Sequence, residues 1–145
     1  DLHQTLESVL ELAGKQLQHS EVTVETIWLP NLPMVAANSA HLKQVFLNLV
    51  LNAIDAMPDG GKIIIKSEHI KDTVKIILTD TGPGISEEYK KNLFQPLFTT
   101  KAKGMGFGLA ISQRIVEAHR GKISVKSIVG VGTTFVIQLP LRNAN

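Results

Sequence analysis

The chain has 145 residues, with 15 Lys plus Arg against 13 Asp plus Glu and a net charge of +2. That length suits one ordinary domain with a real core, and so even a charge balance gives no electrostatic footing for nucleic acid or another polyanion. With 43% hydrophobic residues, 19% charged and no cysteine, the chain is globular, and disulfide scaffolds, thiolate zinc sites and thiol nucleophiles are excluded.

Leu2, Leu6, Val9, Leu10, Ala13 and Leu17 recur at helical spacing and predict an amphipathic helix over residues 2–18. Val22, Val24 and Ile27 suggest a strand closed by Pro30 and Pro33. Asn38 or Ser39 caps a second helix carrying Leu42, Val45, Phe46, Leu49, Val50, Ala53 and Met57, which Pro58-Asp59-Gly60-Gly61 ends. Two alternating runs, 62–68 and 73–79, form a hairpin. A Gly/Pro loop at 80–85, a short polar helix at 86–93 and an aperiodic stretch from Gln95 to Gly106 follow. A third helix carries Leu109, Ile111, Ile115, Val116 and Ala118, and strands near 122–128 and 133–139 close the chain around Gly130-Val131-Gly132.

Hairpins dominate this order, which predicts an α+β fold: a mixed, mostly antiparallel sheet covered on one face by helices. No repeat, low-complexity segment or linker divides residues 1–145, so they form a single domain. The longest apolar stretch, Val45 to Met57, is broken by Asn48, Asn52 and Asp55 and is too short and polar to cross a bilayer. Opening at Asp1 inside a predicted helix, without an initiator Met, the chain reads as a domain excised from a longer protein.

Four constellations can carry chemistry. Asn48 and Asn52 share one helix face, and an amide carbonyl is a suitable hard ligand for Mg²⁺, with Asp55 one turn on. Asp80-Thr81-Gly82-Pro83-Gly84 sets a carboxylate at a strand end, where it could accept a hydrogen bond from a purine amine; a plain turn is the alternative. Gly104-Met105-Gly106-Phe107-Gly108-Leu109 opens the third helix, where bare backbone N–H groups suit an anion. No strand precedes these glycines, so they fail as a dinucleotide fingerprint; a flexible connection or a lid over phosphates remains. Leu93 to Phe98 supplies apolar anchors before that stretch, and Lys101 and Lys103 could compensate phosphate charge.

In this order and spacing the four resemble the catalytic, ATP-binding domain of sensor histidine kinases, in the superfamily that also holds gyrase B, MutL and a heat-shock chaperone. Asn48 to Met57 is similar to the N box, Asp80 to Gly84 to the first glycine box and Phe94 to Phe98 to the F box. Gly104 to Leu109 is similar to the second glycine box, and Gly130 to Thr133 to a final Gly-x-Gly-Thr. Asn-Ala-Ile-Asp-Ala-Met with Phe-Thr-Thr-Lys looks closest to kinases of the nitrogen-regulation type.

The resemblance implies a two-layer α/β sandwich of the Bergerat type, three helices on one face of the sheet, with ATP and Mg²⁺ as cofactors. By match, Asp80 holds the adenine amine, with Gly82, Gly84, Ile85 and Thr133 around it. Asn52 ligates the metal and Asn48 lies beside the phosphates. The nucleotide set further includes Asp55, Thr100, Lys101, Gly104, Met105, Gly106, Phe107, Gly108 and Leu109, and Asn48, Asn52 and Lys101 carry the catalytic role. Asp55 and Ala56 stand where many members have Lys-Tyr or a similar pair. None of the five histidines, His3, His19, His41, His69 and His119, has the phosphoacceptor context of an acidic residue next in sequence.

The implied partners are therefore an upstream dimerisation and phosphoacceptor domain and a response-regulator receiver domain, with no nucleic acid and no direct membrane contact. A monomeric, cytoplasmic domain is expected, whether or not its parent is membrane-anchored. Three readings follow: a histidine kinase domain, an ATP-hydrolysing clamp of the gyrase or chaperone class, and a nucleotide-binding module without catalytic output. The intact boxes disfavour the third. In the hydrolysing members a Glu one turn before the metal-binding Asn activates water; here that place is Asn48, and an amide cannot take the proton.

Overall fold

The computed structural model describes residues 2–35, 37–87 and 106–141, with backbone alone at 106–108. The predicted first helix is two: α1 (Leu2–Leu12) and α2 (Gly14–His19), separated at Ala13, whose ψ of 2° leaves the helical range. Gly14 supplies a reason, since glycine costs about 1 kcal/mol against alanine inside a helix. The break is local, because the Ala13 amide still donates to the Val9 carbonyl and that of Leu17 to Ala13. α1 turns Leu2, Leu6 and Val9 into the core, whereas α2 buries none of its residues.

After β1 (Val22–Ile27) comes α3 (Ser39–Asp55), capped by the Asn38 side chain, which accepts from the His41 amide at 3.1 Å. Leu42, Val45, Phe46, Leu49, Val50, Ala53 and Ile54 make its buried stripe. β2 (Gly61–Ile70) and β3 (Thr73–Asp80) form the expected hairpin, longer than its sequence pattern suggested, with only Lys71 and Asp72 in the turn. α4 (Gly106–Ala118), β4 (Lys122–Ile128) and β5 (Gly132–Pro140) complete the chain. The expected short helix at 86–93 falls outside the described residues except for Ser86 and Glu87, as does the stretch from Gln95 to residue 105.

The strands build one open sheet in the order β1-β2-β3-β5-β4. β1 pairs with β2 in parallel, because α3 carries the chain back between them; the other three pairings are antiparallel. The sheet is thus mixed and mostly antiparallel, as expected. Its register aligns Ile65, Leu78, Phe135 and Val125 in one cross-strand row and Ser67, Ile76, Ile137 and Ile123 in the next. These residues face the helices and close a single core with Leu6 of α1, Phe46 of α3 and Val116 of α4. Lys66, Ile77, Val136 and Ser124 form an intervening row and point to the opposite face of the sheet.

α1 is also tied to the sheet by a polar contact. His3 Nε2 lies 2.9 Å from Ser67 Oγ, and the ring stacks on Trp28 at 4.6 Å. Burial holds the His3 pKa below the usual histidine range, with nearby Glu7 opposing it to a lesser extent. Among the described residues no helix is long and apolar enough to cross a membrane.

One further row positions the site. Ile63, Asp80, Thr133 and Ser127 align across β2, β3, β5 and β4, so Asp80 and Thr133 reach the helix-covered face at the end of β3.

Candidate functional site

Asp80 is a carboxylate only 4% exposed, at the last residue of a core strand. A charge in such a place needs hydrogen bonds. One comes from the next turn: the amide of Gly82 donates to Asp80 Oδ1 at 2.8 Å. The backbone around it is close-packed. A Cβ on Gly132 would come within 2.1 Å of the Asp80 carbonyl oxygen, so β5 can run this close to β3 only with glycine there. Gly84 sits at φ +80°, and a Cβ on it would meet the Ile128 carbonyl oxygen at 2.4 Å.

Serine and threonine hydroxyls brace the same loop. Ser127 Oγ accepts from the Ile85 amide and lies 3.2 Å from Thr133 Oγ1, which is itself buried. Thr81 Oγ1 accepts from the Lys62 amide at 3.0 Å, and the Gly130 amide donates to the Pro83 carbonyl at 2.7 Å. The Asp80–Gly84 loop is therefore pinned from β2 on one side and from the β4–β5 turn on the other.

α3 approaches this loop with its C-terminal end. Built on Gly82, a Cβ would lie 3.3 Å from the Ala56 carbonyl and 3.4 Å from the Ala56 Cβ. Beside that contact an open cleft of about 340 Å³ is lined by residues 56–60, 81–83 and Gly130. One and two turns back along α3, Asn52 and Asn48 flank the buried stripe and are half-buried, while Asp55 is exposed. Asn48 Nδ2 donates to Ser112 Oγ of α4 at 3.3 Å. Amide oxygens on a half-buried helix face suit a hard cation that keeps water and phosphate ligands, so the donors present fit Mg²⁺. Among the described residues no three His, Cys, Asp or Glu side chains converge on a metal position.

Two of the four constellations are thus adjacent: the α3 end abuts the Asp80 loop at Ala56 and Gly82, and further back α3 is joined to α4 by the Asn48–Ser112 bond. Thr100, Lys101, Gly104 and Met105 lie outside the described residues, as do Phe94 to Phe98 and the side chain of Phe107, while Gly106 and Gly108 are described by their backbone alone. Sequence reasoning missed Ser112 and Ser127. The signal for Ser112 was a small polar residue in the apolar pattern of α4; Ser127 carried none, since strand serines are common.

A mixed five-stranded sheet with helices packed on one face, and this loop at the end of its third strand, is the architecture of histidine kinase catalytic domains. The nucleotide-free catalytic domain of histidine kinase ThkA superposes with a TM-score of 0.88 at 33% identity, over 98% of this chain and 95% of that one. ThkA in complex with response regulator protein TrrA matches at a TM-score of 0.79 and 33% identity, over 97% of this chain and 40% of that one. Residues 37–143 match the family of histidine kinase-, DNA gyrase B- and HSP90-like ATPases, and the chain belongs to it.

Sporulation kinase E of Bacillus subtilis (strain 168) is 39% identical over 140 residues, 96% of this chain and 19% of that protein. Sensor histidine kinase ZraS of Escherichia coli (strain K12) is 39% identical over 141 residues, 97% of this chain and 30% of that protein. The chain therefore spans less than a third of the length of these two relatives.

Proposed function

We propose that this chain binds Mg-ATP and donates its γ-phosphoryl group to a histidine on a separate dimerisation domain, from which a response-regulator receiver domain accepts it. The observation that carries the reading is buried Asp80, braced by Gly82, on the helix-covered face at a strand end. A carboxylate so placed accepts from an exocyclic amine and repels a carbonyl oxygen, which selects adenine over guanine. Asn52 supplies the metal-binding oxygen and Asn48 sits beside the phosphates, while the first turn of α4 offers free amides to them. Bound Mg²⁺ would offset charge on the phosphates during transfer.

The work of the chain's own residues is positional. Transfer needs the acceptor nitrogen in line with the γ-phosphate, and holding the nucleotide against two helices and the Asp80 loop supplies that alignment. Asn48 is an amide where a carboxylate would activate water, so the site favours a docked histidine over hydrolysis. The kinase names of relatives 39% identical support this reading over the hydrolysing clamp.

The test is incubation with radiolabelled ATP, with and without the phosphoacceptor domain of the parent protein. Acid-labile label is expected on the added domain and not on this chain. Stoichiometric label on this chain alone, or none on either, would overturn the proposal.

A further inference from the structure

Resting on that reading, we infer that Ser112 is a positioning residue that sets the carboxamide of Asn48 and ties α3 to α4 across the site. Ser112 is fully buried, at 0% exposure, among the core residues of α4. A buried hydroxyl is costly unless bonded, and alanine would fill the position without that cost. The bond it makes is to the site: its Oγ accepts from Asn48 Nδ2 at 3.3 Å.

The consequence follows from the shape of an amide. Its two ends are nearly equal in size and opposite in polarity, so a half-turn about χ2 replaces a donor by an acceptor. Beside a metal-bound triphosphate the wrong end meets repulsion. Ser112 accepts here and Asn48 Nδ2 donates, so the Asn48 nitrogen is turned toward α4 and Oδ1 away from Ser112. The same bond fixes the register between the α3 amide face and the helix that begins at Gly106.

A double-mutant cycle on the whole chain tests this, using Ser112→Ala, Asn48→Ala and the pair, with binding of ADP measured with Mg²⁺ and with EDTA. Ser112→Ala should weaken Mg-ADP binding by about three- to tenfold, the worth of one neutral hydrogen bond, and change binding in EDTA much less. In the Asn48→Ala background the same change should have no further effect on binding. Ser112→Cys, which keeps the volume and loses most of the acceptor strength, should follow Ser112→Ala and guards against a folding artefact. Additive losses, or equal losses with and without Mg²⁺, would make Ser112 merely structural and overturn the inference while leaving the nucleotide reading intact. Failure of the wild-type chain to bind ADP would overturn both.

Discussion

Asp80 has two separable roles, one in the loop and one toward the base, and two substitutions divide them. Asp80→Ala removes the acceptor for the buried Gly82 amide, now bonded at 2.8 Å. An orphaned buried donor costs about 1–3 kcal/mol. For a domain of this size each kcal/mol lowers the melting temperature by about 3 °C, so a fall of about 3–9 °C is expected. Asp80→Asn keeps an oxygen for Gly82 and should lose less than half of that. Toward the nucleotide the order differs. Asparagine gives up the charge and can present an NH₂ group to the adenine amine, so ATP affinity should drop by about ten- to a hundredfold, as when a hydrogen bond to a charged group is lost. Calorimetric unfolding paired with titration of ATP and GTP reads both effects. If Asp80→Asn bound ATP like wild type, or wild type bound GTP as tightly as ATP, Asp80 would not be the base acceptor. If Asn and Ala destabilised equally, the Gly82 bond would not be what the carboxylate contributes to stability.

Gly84→Ala combines a positive φ with a Cβ 2.4 Å from a carbonyl oxygen, so it should lose at least about 1–2 kcal/mol in urea unfolding. Gly14→Ala, where a Cβ meets nothing within 4 Å, should gain about 0.5–1 kcal/mol; the reverse order would refute the local geometry. His3 is held neutral by burial, so the unfolded chain binds its proton more readily than the folded one. Its contribution is complete above the usual histidine range and is lost as pH falls through that range toward the lowered folded value. Thermal melts from pH 7.5 to 5 should therefore fall more steeply for wild type than for His3→Gln, and parallel curves would dismiss the effect. Steady-state phosphate release at saturating ATP should be slow, with Asn52→Ala removing Mg²⁺-dependent binding; fast release abolished by Asn48→Ala would favour the hydrolysing clamp.

Much of this domain was legible in one dimension because its signals are local. The apolar stripe of α3 and its Asn38 cap, the alternation in β2, β3 and β5, and the glycines of the turns each depend on neighbours within a few residues. What misled was equally local. An unbroken apolar spacing ran through Ala13, and the cost of Gly14 was enough to interrupt a helix whose second part buries nothing. That Asn48 and Asn52 share a face was legible from their spacing; that the face is the half-exposed flank of the apolar stripe came from the structure.

The chain's own order of residues determined most of the described elements and the residue types proposed to hold a purine, a cation or phosphates. Only the tertiary structure decided how they meet. The pairing of β3 with β5 aligns Asp80 with Thr133, 53 positions apart in the numbering, through a ladder that alternation alone cannot register. The parallel return of β1 onto β2 and the bond from Asn48 to Ser112 are likewise long-range. The physical reason is that propensity and periodicity report on how a segment folds its own backbone, while a site is made by side chains from separate segments whose closeness is set by packing one core.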